Sequence, residues 1–62
     1  MSSVEDIEAA IRACTAQRQA LREQGAGPAQ LERNRLELVR LHRRLARAWI
    51  DRHLGDTGRA AA

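Results

Sequence analysis

Cys14, His42 and His53 are the residues whose types most readily hold a metal or attack a substrate, and their spacing keeps them apart. His42 and His53 lie about 16 Å from each other along a helix, so one metal ion cannot take both from a single chain. One cysteine with two histidines also falls short of the four-ligand set of a structural zinc site. A reactive thiol needs exposure and an electropositive setting. Cys14 instead falls within an apolar repeat, with Arg18 as its basic neighbour, where a free cysteine behaves as a small buried hydrophobe. The segment "GAGP", residues 25–28, lacks the lysine and the preceding strand of a phosphate-binding loop. No set of nucleophile, base and orienting group can be assembled. The sequence therefore predicts a protein that is not an enzyme, with no catalytic residues, no metal and no cofactor.

Arginine carries the remaining chemistry. All 11 basic residues are arginine. Residues 38–50 contain Arg40, Arg43, Arg44 and Arg47 without one acid. Between residues 28 and 54, seven arginines face the three acids Glu32, Glu37 and Asp51, a net charge of +4. Arg33, Arg40, Arg44 and Arg47 fall mostly on the side of a helix away from its apolar seam, where they could contact an anionic partner. A basic helical stripe can neutralise phosphates, so a nucleic-acid-binding hairpin is the alternative reading. Against it, Trp49 is the single aromatic residue, so there is no platform for stacking bases. An acidic protein would use the same stripe.

The elements that position these residues follow from spacing. Ser2 with Glu5, or Ser3 with Asp6, has the separation of a capping box, and acids at 5, 6 and 8 suit the positive end of a helix dipole. Val4, Ile7, Ile11, Cys14, Arg18 and Leu21 then recur at alternating steps of three and four, a heptad seam with one polar interruption. Gly25 can take the left-handed conformation that ends a helix, and Pro28 fits the first turn of the next, with Gly27 as its cap. The second seam holds Leu31, Asn34, Leu38, Leu41, Leu45 and Ala48. Gly55 reads as a stop, and "GDTGRAAA" reads as a disordered tail. The expected organisation is one all-α domain over residues 1–62: helix 1 about 3–24, a turn at 25–27, helix 2 about 28–54, and a tail at 55–62.

Folding the chain about Ala26 pairs residues whose numbers sum to about 52 in an antiparallel hairpin. Leu21 then meets Leu31, Cys14 meets Leu38, Ile11 meets Leu41, and Ile7 meets Leu45. Arg18 and Asn34, the two polar residues of the seams, fall in one layer, where their mutual need for a partner would fix the register.

A second set of apolar residues, Leu36, Val39, Ala46, Ile50 and Leu54, points about 120° or more away from the seam. Trp49 lies at its edge. Helix 1 carries Ala9, Ala13, Ala16 and Ala20 on its own far side, a stripe that lets another helix approach closely. A chain of 62 residues has room for only a small core. One cysteine excludes an internal disulfide. Association is the remaining source of stability, and these ten residues are its expected interface, most simply in a homodimer that forms a four-helix bundle.

The outline resembles two families of small helical hairpins. The plasmid copy-number RNA-binding repressors share the topology of a hairpin that dimerises into a four-helix bundle. The small aspartyl-phosphate phosphatases of the sporulation phosphorelay carry a Ser-Gln-Glu-Leu-Asp motif on helix 2. Here "RLELV", residues 35–39, keeps Glu37 and Leu38 of that motif, while Arg35 and Val39 replace its Ser and Asp, so phosphatase activity is not implied.

No run of about 18 apolar residues exists to span a membrane. The acidic "MSSVEDIEAA" lacks the basic and apolar regions of a signal peptide. The expectation is a cytoplasmic, regulatory protein that works by protein–protein interaction, binding a second copy and a partner protein.

Overall fold

The computed structural model describes the backbone of residues 3–61 and the side chains of residues 3–54. It is all-helical: α1 spans Val4–Glu23 and α2 spans Pro28–Ala61. The two pack against each other as an antiparallel hairpin, with no strand among the described residues.

Local chemistry explains where α1 begins and ends. Of the two possible capping boxes, the chain uses Ser3 and Asp6. The Asp6 amide donates to Ser3 Oγ at 3.1 Å, and the Ser3 amide donates to Asp6 Oδ2 at 3.3 Å. Two amides that the helix leaves unpaired are thereby satisfied. At the other end Gln24 is the cap and Gly25 takes φ +70°. The Gly25 amide donates to Arg22 O at 3.1 Å and the Ala26 amide to Leu21 O at 2.9 Å, a Schellman closure. Gly27 then opens α2, its carbonyl accepting from the Leu31 amide at 3.2 Å, and Pro28 follows where its missing amide costs nothing.

A Cβ at Gly25 would meet nothing within 4 Å, so the cost of Gly25→Ala is confined to the backbone. A non-glycine residue in the left-handed region loses about 1 kcal/mol, which lowers the melting temperature of a domain this small by about 4–8 °C. Thermal melts followed by circular dichroism check this, with Gly27→Ala as the milder comparison, since Gly27 has no positive φ.

The core is the line where the two seams meet. Val4, Ile7 and Cys14 of α1 and Leu41 and Asn34 of α2 are buried. Ile11, Arg18, Leu21, Leu31, Leu38, Leu45 and Ala48 are half-buried along the same line. Both apolar repeats thus face inward as their 3–4 spacing predicts. Within this register Asn34 bonds to Cys14 as well as to Arg18. The reason is that a side chain in an antiparallel seam enters a hole bounded by residues one turn apart, so it meets two neighbours instead of one.

The far end of α2 departs from expectation. Its helical backbone continues to Ala61, past Gly55, where the sequence predicts a stop. Glycine in a helix costs about 1 kcal/mol relative to alanine, yet it permits helical dihedrals. With no proline after Gly55 to block the next turn, that cost does not end the helix. Ala62 and the side chains of 55–61 lie outside the described residues.

Candidate functional site

The seam contains one polar cluster, and it is built from residues on both helices. Asn34, only 6% exposed, donates through Nδ2 to Cys14 O at 3.1 Å and lies 3.4 Å from Cys14 Sγ. Its Oδ1 accepts from Arg18 Nη1 at 3.3 Å, and the same Nη1 reaches Leu31 O at 3.3 Å. The Cys14 thiol turns toward Asn34 O at 3.7 Å. Among the described residues no buried side-chain nitrogen or oxygen lacks a partner. Cys14, Arg18 and Asn34 are thus each bonded to the other helix. That arrangement suits a register lock.

Beside the cluster, near the turn, a shallow groove of about 380 Å³ is lined by Gln17, Leu21, Gln30, Arg33, Asn34 and Glu37. It brings no nucleophile next to a base. His42 and His53 are both exposed and lie on α2, whereas Cys14 is buried in the seam on α1. Among the described residues no group of three His, Cys, Asp or Glu side chains comes together as a metal set, and no helix is long and apolar enough to cross a membrane.

The outer side of α2 offers more surface. Leu36 is 48% exposed, Ile50 53% and Leu54 64%, and Trp49 at the edge is 39% exposed. Val39 is half-buried and Ala46 exposed. Ala9, Ala13, Ala16 and Ala20 all lie exposed along the back of α1. The structure thus sets the two outer stripes on the helix sides turned away from the common seam. Within one chain they do not meet.

The arginine stripe is exposed but not bare. Arg40 lies 3.5 Å from Glu37 and Arg47 lies 3.6 Å from Asp51, both across one helical turn. Arg33 and Arg44 are exposed on the same helix. Such exposed pairs contribute little and exchange readily with an outside partner. Near the start of α2, Arg35 holds Glu32 more firmly, with Nη2 to Oε1 at 2.6 Å and Nε to both carboxylate oxygens at 3.1 Å.

Sequence reasoning missed a contact set at the open end of the hairpin. Arg52 of α2 approaches Glu5 of α1 at 3.6 Å and also lies over the Trp49 ring, 5.1 Å from its centroid. Trp49 stacks on His53 with ring centroids 5.9 Å apart and planes 25° apart. The i, i+3 and i, i+4 spacing of Trp49, Arg52 and His53 was the available signal. The Glu5 clasp needed the register as well.

Two carboxyls feel these contacts. Glu5 is held below its ordinary value chiefly by a hydrogen bond to the backbone, against the desolvation that raises it, with Arg52 and Ser3 lowering it further. Glu32 is lowered by the hydrogen bond from Arg35 and by the charges of Arg35 and Arg18, and Glu32 in turn raises Arg35. A carboxyl lowered in the folded chain stabilises it fully above its unfolded value and ceases to do so as pH falls through the folded one. Melting temperature should therefore drop as the solution is taken from neutral to strongly acid. The drop should shrink in Glu5→Gln and Glu32→Gln, and also in high salt, since both carboxyls are solvated.

The chain matches no protein-family model, no curated protein and no solved structure.

Proposed function

We propose that this hairpin is a non-catalytic association module that pairs with a second copy as a four-helix, coiled-coil-like homodimer and presents its outer surface to a partner protein. The observation that carries the reading is the row of large apolar side chains on α2, Leu36, Ile50 and Leu54 with Trp49 beside them, on the side away from α1. Scattered surface leucines are ordinary, but a row on one side of a helix that already buries its other side is a second core face.

The small core supports the same reading: Val4, Ile7, Cys14 and Leu41 are the buried apolar residues along the seam, little burial for a chain of 62 residues. Covering the outer stripes of α2 and α1 with a second hairpin would give this small seam the additional apolar burial it lacks.

Sedimentation equilibrium across a wide range of concentrations tests the reading. The expected result is a dimer that gives way to monomer on dilution, with a melting temperature that rises with concentration. A monomer at every concentration, melting at one temperature throughout, would remove self-association from the proposal.

A further inference from the structure

Resting on that reading of α2's outer side as an interaction surface, we infer that the partner it fits is an acidic amphipathic helix, which competes with the second copy for the same side.

The argument begins with what flanks the apolar row. Arg40, Arg43, Arg44 and Arg47 border or interrupt the line from Leu36 to Leu54, and no acid occurs between residues 38 and 50. Between residues 38 and 50 every charged side chain is an arginine. A second α2 laid against the row brings the same arginines with it, and like charges across an interface oppose association. A helix with an apolar seam and acidic flanks meets the same leucines and isoleucine without that opposition. It would also take over Arg40 and Arg47, whose bonds to Glu37 and Asp51 are long, local and solvated.

Length and shape agree. Leu36 and Leu54 are about 27 Å apart along the helix axis, so the row accommodates a partner helix of about five turns. Its apolar residues Leu36, Val39, Ala46, Ile50 and Leu54 keep to one side of the helix at steps of three, seven, four and four, with Arg43 in the longest gap, a spacing that a partner's own seam would interleave. Trp49 at one edge, 39% exposed even with His53 stacked on it, would be covered by the incoming helix and can report its arrival.

Two tryptophan-free synthetic helices of about five turns make the probes, each with leucine at the heptad seam positions. One carries glutamate on both flanks, and the other carries lysine. Sedimentation of the protein alone reads self-association, so failure of the homodimer and failure of this inference give different records. The expected result is that the glutamate peptide shifts the emission of Trp49, lowers the dimer fraction as it binds, and loses affinity as salt is raised. The lysine peptide should do none of these. Arg40→Gln, Arg43→Gln and Arg47→Gln combined should weaken the glutamate peptide about tenfold while the circular dichroism spectrum stays unchanged. Ile50→Asp should weaken it as well, through the apolar row. Equal binding of both peptides, or of neither, would overturn the inference. So would an unchanged affinity in the triple variant, or displacement of the glutamate peptide by a single-stranded oligonucleotide binding the same arginines more tightly.

Discussion

Ile50→Asp is expected to convert the associated protein to a monomer. Ile50 is 53% exposed in the single hairpin and lies outside the seam, so an aspartate there disturbs no contact between α1 and α2. In the proposed dimer the same position is interior, and an unpaired buried carboxylate costs several kcal/mol. Sedimentation should show the monomer mass, and the melting temperature should cease to depend on concentration. Part of the helix signal should go with it, because a lone hairpin of this size is only marginally stable. Leu41→Asp is the comparison: Leu41 is buried in the seam, so that variant should unfold with or without association. An Ile50→Asp protein that keeps the wild-type mass would place the interface elsewhere.

Asn34→Ala should give the other large effect, this time within one chain. The substitution removes the bonds to Cys14 O and to Arg18 Nη1 and leaves a gap in the seam. Together these cost about 2 kcal/mol, a fall in melting temperature of roughly 10 °C for a domain of this length. Asn34→Leu separates the two contributions. It fills the gap with apolar surface and should recover the stability, while releasing the constraint on register. Arg18 retains its bond to Leu31 O, so the guanidinium keeps a partner in both variants. A disulfide trap reads the register: Cys14 with a cysteine introduced at Leu45, one heptad away from its layer in the Arg18–Asn34 register, should cross-link faster in Asn34→Leu than in the otherwise native seam. Equal cross-linking rates, with an unchanged melt for Asn34→Ala, would show that the polar cluster holds nothing in place.

The arginines around the outer row illustrate how much of a surface can be seen before its geometry is known. Their number and the absence of acids between residues 38 and 50 are plain in the sequence. That Arg40 and Arg47 each lean on an acid one turn away is a matter of rotamers on a solvated helix, and several rotamers compete there with nearly equal energy.

The two helices, their inward faces and the turn between them were determined by the sequence alone, because each depends on residues close together in the chain. A 3–4 apolar repeat selects one side of a helix whatever it packs against. Ser3 with Asp6 and Gly25 with Pro28 act within a few residues of themselves. The presence of Arg18 and Asn34 in one layer also followed from counting back from the turn. What only the tertiary structure decided depends on distances between the helices. Asn34 reaches Cys14 as well as Arg18 because helices interlock side chain into hole, and Arg52 finds Glu5 only once the register brings the open ends together.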